Sequence, residues 1–365
     1  MEQKTQKKLY FEIMRVLAAF FVIYNHLPAY HWYMISNTKD LTQGLYMLTS
    51  VITRFNVPVF FMISGALLLK KQETPAQVLK KRISRFAVVL VLFNFIMFYL
   101  SAVLNLRRGA EQDWNPGHFL TGMLGNQIYG TIPYWFLYAY LAFLVMLPLL
   151  QKLVRQMTKQ DMRWLFAVHF VIVSLIPAFN ALLSAFGVQN IALSQSFQVP
   201  IAVQNAIFFP ILGDFLDQVD LKAASKKWFG SLAAVSLGGI LITMALVYAE
   251  GICTGTFTQN YISVFDYTTA AGAFILIKYL VVRKPEDHLQ GKTGKVIQLV
   301  GSLTMGIYLM DPILHILFYD KYELKFVMGG LPILVSSLGW CVFSMTAGGI
   351  AVWIMKKVPG LKKIL

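Results

Sequence analysis

The stretch RVLAAFFVIYNH, from Arg15 to His26, decides how the chain is interpreted. Between its two ends it is almost wholly apolar, as a helix that crosses a membrane must be. At about 100° per residue, Arg15 and His26 fall on one helix face, about 16 Å apart along the axis. Glu12, Ala19 and Val22 continue the same stripe. The stretch therefore predicts a membrane helix that carries two polar groups at different depths.

The composition supports a membrane protein. The chain has 365 residues, of which 57% are hydrophobic and 13% are charged, and its mean hydropathy is +0.60. Soluble proteins have about 25% charged residues. Apolar runs long enough to span a bilayer recur along the whole chain. We therefore expect an all-α integral membrane protein, with one domain over residues 1–365 and no soluble domain.

Apolar runs between polar breaks predict ten membrane helices. The net charge of +15 is unevenly distributed between the loops that these helices create. With the N-terminus in the cytoplasm, the cytoplasmic segments hold 24 Lys and Arg residues and the outer segments hold 5. This asymmetry predicts that both termini are cytoplasmic, and it explains the positive charge without a nucleic-acid partner. The predicted helices are 9–31, 41–69, 83–104, 133–154, 161–187, 199–221, 226–249, 261–283, 292–319 and 331–355.

The polar residues of the first span have two interpretations. An arginine at that depth needs a counter-charge, and Glu12, one turn before Arg15, is the nearest candidate. One interpretation is structural, with an Arg15–Glu12 ion pair and a histidine bonded inside the bundle. The other is a binding site along the shared face. Cys253 and Cys341 form no metal or disulfide motif, so no metal site is predicted.

Four short motifs follow one another along the chain. In this order and spacing they resemble the acyltransferase 3 family of bacterial integral-membrane acyltransferases. The resemblance implies about ten helices, acyl-CoA (usually acetyl-CoA) as a donor substrate, no bound cofactor and a place in the bacterial cytoplasmic membrane. It also implies an acceptor that is a cell-envelope glycan or a small molecule. The motifs are R-x-x-A-x(7)-H (Arg15, Ala18, His26), F-F-x-x-S-G (Phe60, Phe61, Ser64, Gly65), Tyr134–Phe136 and Ile307–Leu309.

The resemblance also implies roles for individual residues. His26 becomes the catalytic base, while Arg15 and the basic cluster with Lys81, Arg82 and Arg85 handle the donor. The same cluster is equally explained as a cytoplasmic anchor that contacts lipid phosphates. The chain departs from the family at one catalytic position. Many members have a histidine shortly after Ile-Tyr-Leu, where this chain has Asp311, which we expect to orient His26 or to accept from the acceptor hydroxyl.

Other residues are weaker candidates for the acceptor pocket. Ser64 is a possible site of an acyl-enzyme, although a Ser-Gly pair in an apolar run is more typical of close helix packing. Tyr134 and Trp135 either stack on a sugar or anchor the span at the outer interface. The remaining pocket candidates are Glu12, Asp266 and Tyr308.

A transporter or flippase of a glycan or lipid-linked intermediate is the alternative function. Buried Arg, Asp and His residues in ten spans fit that class too. Transporters often have inverted repeats and paired broken helices, and the sequence reveals neither. It does not indicate an oligomeric state.

Overall fold

A computed structural model describes residues 9–35, 40–107, 114–194, 196–221, 223–282, 291–327 and 332–364. Within these ranges the secondary structure is helical and contains no strand, so the all-α prediction is confirmed for them. Several positions used for the topology prediction lie outside the described residues. These are the segment 1–8, Lys39, Arg108, Lys222 and 283–290.

Seventeen α-helices are described in these ranges, and some of them continue through short π or 3-10 turns. Numbered in chain order, they are α1 (Leu9–Asn25), α2 (Pro28–Ile35), α3 (Leu41–Thr53), α4 (Asn56–Leu68), α5 (Pro75–Val78), α6 (Ser84–Arg107), α7 (Pro116–Leu124), α8 (Trp135–Gln156), α9 (Lys159–His169), α10 (Ile176–Ala185), α11 (Pro200–Val203), α12 (Asn205–Asp217), α13 (Lys226–Thr254), α14 (Asp266–Val282), α15 (Lys292–Tyr322), α16 (Ile333–Met355) and α17 (Pro359–Ile364).

Seven helical stretches of the described chain are long and apolar enough to cross a membrane. The pair α1 and α2, bent by 46°, makes an eighth if it counts as one span. The predicted spans 199–221 and 261–283 have no counterpart among these eight, so the number of ten spans stays a prediction. The seven stretches are Leu41–Leu68, Pro75–Leu104, Ile132–Gln156, Lys159–Ser184, Lys226–Thr254, Lys292–Tyr322 and Ile333–Met355.

The predicted span 199–221 is broken, and the predicted span 261–283 is short. Gln204 adopts an extended conformation with ψ 116°, which separates α11 from α12. The Ala202 carbonyl then lacks its helical partner, and the buried His169 ring bonds to it at 2.6 Å instead. In the second case a series of turns precedes Asp266, and α14 has only 17 residues.

The predicted first span, 9–31, is also interrupted. Proline has no N–H to continue a helix and disfavours helical conformation in the residue before it. Pro28 begins α2, and α1 ends three residues earlier at Asn25. His26 and Leu27 form the turn between them, and their N–H groups donate to Ile23 and Tyr24, both at 3.1 Å.

The described chain divides into two compact units, each built from two separate segments. The first unit comprises Met1–Lys71 and Leu150–Gly301, and the second comprises Gln72–Leu149 and Ser302–Leu365. The chain passes from one unit to the other after Lys71, within α8 and within α15.

In the first unit, α4 and α12 pack closely because glycines face the crossing. A Cβ atom on Gly65 would collide with the backbone of Pro210, and one on Gly213 would collide with the backbone of Met62. Small residues at helix crossings are typical of membrane proteins, where close packing replaces the hydrophobic effect. Helix α4 also contacts α1 and α14, so this crossing supports the helix that leads to His26.

In the second unit, two tyrosines link the start of α8 to α15. The Tyr134 hydroxyl donates to the Leu309 carbonyl at 2.8 Å, and the Tyr308 hydroxyl donates to the Pro133 carbonyl. Helix α15 also meets α16, where Lys356 donates to the Ser302 carbonyl at 2.7 Å. These bonds hold the three helices of this unit in register.

Candidate active site

The stripe predicted on the first span lies on the inner side of α1. Glu12, Ala19 and Val22 are buried, and Arg15 and His26 are half-buried. His26 stands one residue beyond the end of α1 rather than inside a continuous helix. The regular helical estimate of the separation therefore applies only as far as Asn25.

Arg15 has the partner that was expected. Its guanidinium bonds to Oε1 of Glu12 at 2.7 Å, and the two side chains are 27% and 2% exposed. The second carboxylate oxygen, Oε2, is buried and has no hydrogen-bond partner among the described residues. Gly301 leaves room for this carboxylate, because a Cβ there would collide with Oε2. One carboxylate oxygen of Glu12 is thus bonded to Arg15, and the other lies in packed protein beside Gly301.

Arg54, which follows α3, joins α2 to the segment before α14. Its guanidinium donates to the Tyr30 hydroxyl at 3.0 Å and to the Ser263 hydroxyl. Asp266, at the start of α14, is close enough for its carboxylate to interact with this charge. We did not predict Arg54 as a site residue, because Ser263 lies 209 positions further along the chain. The feature of the sequence that could have indicated Arg54 was an arginine inside an apolar run.

His31 is a second residue that sequence reasoning missed. Its ring lies in α2, interacts with the charges of both His26 and Arg54, and faces the Gln259 amide at 3.0 Å. The first unit therefore gathers His26, His31, Arg54 and Asp266 around the break between α1 and α2.

Ser64 makes an ordinary intrahelical contact. Its hydroxyl donates to the Phe60 carbonyl four residues earlier, at 2.9 Å, as helical serines often do. The neighbouring Gly65 makes the close contact with Pro210. These contacts favour the packing interpretation of the Ser-Gly pair over a nucleophile.

Asp311 belongs to the second unit and is buried, with 3% exposure. Its carboxylate accepts a hydrogen bond from the Ser344 hydroxyl at 2.7 Å. The charge of Asp311 is also close enough to interact with Tyr134 and Cys341. No group of three or more potential metal-ligating His, Cys, Asp or Glu residues occurs in the described part of the chain.

The aromatic candidates of the second unit differ in exposure. Tyr134 is fully buried and Tyr308 nearly so, and both hydroxyls bond to backbone carbonyls. Trp135 is 44% exposed. The two tyrosines therefore brace helices, and Trp135 alone of the three presents a ring for anchoring or stacking.

The basic cluster is partly engaged within the second unit. Arg82 forms two hydrogen bonds with Glu73, at 2.9 and 3.0 Å. Arg85 donates from Nε to the Ile364 carbonyl of α17 at 3.1 Å, and Lys81 is exposed. Lys81 and Arg85 are thus exposed near the start of α6, whereas Arg82 already has a carboxylate partner.

These observations define the class of protein: the chain is a helical, multi-pass membrane protein. A family model described as an acyltransferase domain matches residues 8–346, nearly the whole chain. The chain therefore belongs to the acyltransferase 3 family, and the resemblance seen in the motifs is confirmed. No match was found among curated proteins or among solved structures.

Proposed function

We propose that this protein moves an acyl group, most simply acetyl, from cytoplasmic acyl-CoA to a hydroxyl of a cell-envelope carbohydrate or related acceptor. Membership of an acyltransferase family supports the reaction class. The observation that carries the proposal is the position of His26 in a turn close to His31, whose ring also lies close to Arg54, the neighbour of Asp266. Polar groups that meet inside an apolar bundle are functional candidates.

His26 acts as the general base in this proposal. The acceptor oxygen attacks the thioester carbonyl carbon, His26 takes the hydroxyl proton, and the C–S bond breaks. The proton then passes from His26 to the departing CoA thiolate, so that an ester and a free thiol are the products. Histidine suits this exchange because its unperturbed pKa is about 6.5.

Transfer is direct rather than through an acyl-enzyme on Ser64. The Ser64 hydroxyl is already committed to the Phe60 carbonyl, and the same turn provides the contact with α12. Asp311, with its bond to Ser344, keeps a carboxylate for the acceptor hydroxyl.

The donor residues in this proposal are Arg15, Lys81, Arg82 and Arg85. Guanidinium groups bind phosphate through paired hydrogen bonds, and CoA carries several phosphates. Lys81 and Arg85 are exposed, which suits a nucleotide that arrives from solution. Arg82 contributes directly only when it leaves Glu73, and otherwise it shapes the cluster.

Acceptor contacts come from Asp266 and Trp135 in this proposal, with Glu12, Tyr134 and Tyr308 as supports. Asp266 is half-buried and Trp135 exposes part of its ring. The two tyrosines hold helices through backbone carbonyls. They therefore brace helices of the second unit rather than stack on a sugar.

The membrane orientation belongs to the same proposal. Ten spans with both termini in the cytoplasm of a bacterium agree with the 24-to-5 division of Lys and Arg residues and with the positive-inside rule. Acyl-CoA would then enter from the side that carries the basic cluster.

The test uses the purified full-length protein with acetyl-CoA and a panel of sugar acceptors. We expect acceptor-dependent release of CoA thiol, and a loss of about 10²–10⁴ in rate for His26→Ala, the usual contribution of general-base catalysis. His118→Ala is the matched control, because His118 is an exposed histidine of α7. Full activity of His26→Ala would reject the assignment.

A transporter remains the second candidate because of one observation. The sequence revealed no broken helices, but the first unit contains two, at the α1–α2 turn and at Gln204. Broken helices often form transport sites. Movement of a labelled glycan into vesicles without any thiol release would favour this function over acyl transfer.

A further inference from the structure

The turn that carries His26 is held by a second histidine. The His31 ring packs edge-to-face on Tyr30, with centroids 4.8 Å apart. The same ring hydrogen-bonds to the backbone carbonyl of Asn25, the last residue of α1. Because the His26 N–H donates to Ile23 at 3.1 Å, the peptide group between Asn25 and His26 is bonded at both its oxygen and its nitrogen.

The side chain of Asn25 is held as well. Thr53, the last residue of α3, donates from its hydroxyl to Oδ1 of Asn25 at 3.0 Å. The last carbonyls of a helix have no partner within that helix, and Pro28 prevents a continuous helix from supplying one. Bonds from α2 and α3 thus add to those within α1 in fixing the end of the helix before His26.

His31 is in turn held from the opposite side. The Gln259 amide nitrogen lies 3.0 Å from Nδ1 of His31, in the segment 255–265 between α13 and α14. A neutral imidazole has one donor and one acceptor, which matches the Asn25 carbonyl and the Gln259 amide. His26 and Arg54 also lie close to this ring.

We propose that His31 is a positioning residue that sets the direction of the His26 side chain, and that segment 255–265 acts on His26 through Gln259. The proposal rests on the proposed function, which makes His26 the base. The geometry of the turn can nevertheless be tested without that function. Gln259 lies between the predicted spans 226–249 and 261–283, where an acceptor could reach it, so acceptor contact with this part of the segment would be transmitted to the base.

The experiment compares variants of the full-length protein in detergent. His31→Ala removes the bond to Asn25, and His31→Gln supplies an amide N–H in its place. Tyr33→Phe is the matched control, because the Tyr33 hydroxyl joins α2 to the Thr258 carbonyl at 3.2 Å rather than to Asn25. The measurements are the rate at which diethyl pyrocarbonate modifies His26, followed by peptide mass spectrometry, and the kcat and KM of acyl transfer.

For His31→Ala we expect faster modification of His26 and an unchanged KM for acyl-CoA. We expect kcat to fall by about 10–100-fold, since a misplacement of about 1 Å can cost on the order of 10² in rate. His31→Gln should recover most of both effects, and Tyr33→Phe should resemble the wild type. Gln259→Ala should change both readouts in the same direction as His31→Ala, by less.

An unchanged modification rate in His31→Ala, or an equal change in Tyr33→Phe, would overturn the proposal. If His31→Ala does not fold, Gln259→Ala and Tyr33→Phe decide the question by the same comparison. A wild-type protein without acyl transfer, combined with faster modification of His26 in His31→Ala, would reject the proposed function and support the positioning role.

Discussion

The crossing of α4 and α12 offers the sharpest test of the fold. We expect Gly65→Ala to destabilise the protein, because the new Cβ would lie inside van der Waals contact with the backbone of Pro210. Ordinary contacts of a Cβ begin at about 3.4 Å. The two helices must therefore separate by more than an ångström, since a backbone cannot turn aside as a side-chain end can.

The expected size follows from two opposing terms. Overpacking costs about 1–3 kcal/mol, and an obstacle made of backbone places this site near the upper end. Alanine gains about 1 kcal/mol over glycine inside a helix. The net loss is then about 2 kcal/mol. The same displacement accommodates a Cβ on Gly213, so Gly65→Ala with Gly213→Ala should cost less than the two single changes together.

The assay is thermal or denaturant unfolding of the purified protein in one detergent. Gly238→Ala is the matched control, because a Cβ at this position of α13 meets no atom within 4 Å. It should leave the stability unchanged or raise it. A Gly65→Ala protein as stable as Gly238→Ala would refute the packing argument, and additive losses in the double variant would refute the shared displacement.

Two further substitutions test other contacts. Lys278→Met should destabilise the protein by several kcal/mol. The buried ammonium bonds to the carbonyls of Leu216, Asp217 and Val219 at 3.2, 2.8 and 2.8 Å, and each buried group left unsatisfied costs about 1–3 kcal/mol. The control is the unfolding of Lys226→Met, a change at an exposed lysine. Glu73→Gln should lower the KM for acyl-CoA by about two- to five-fold if Arg82 binds the donor, since Arg82 would no longer have to leave a half-buried ion pair, and ion pairs near the surface contribute about 0.2–1 kcal/mol. An unchanged KM would favour the lipid anchor.

The broken helices change how the two candidate functions are weighed. The absence of broken helices in the sequence favoured an enzyme over a transporter, and the α1–α2 turn and Gln204 remove that argument. The case for an acyltransferase now rests on family membership and on the residues around His26. Release of CoA thiol is therefore the decisive measurement.

The sequence by itself determined the membrane class, the helical content and the pairing of Arg15 with Glu12. Hydropathy and helical spacing report on neighbours within one or two turns, and this ion pair joins residues three positions apart. The charge distribution likewise supports a topology without any knowledge of packing. The family motifs could be recognised from the same local patterns, and the match over residues 8–346 agrees with them.

The tertiary structure alone decided what surrounds His26. Gln259 reaches His31 across 228 positions and Ser263 reaches Arg54 across 209, and no local spacing encodes such contacts. Pro28 marked a break in the sequence, but only the packed helices show which groups satisfy the backbone there. The chain must bond its interrupted helix ends because the membrane offers no water to do so, and the partners come from whichever helices the fold brings near.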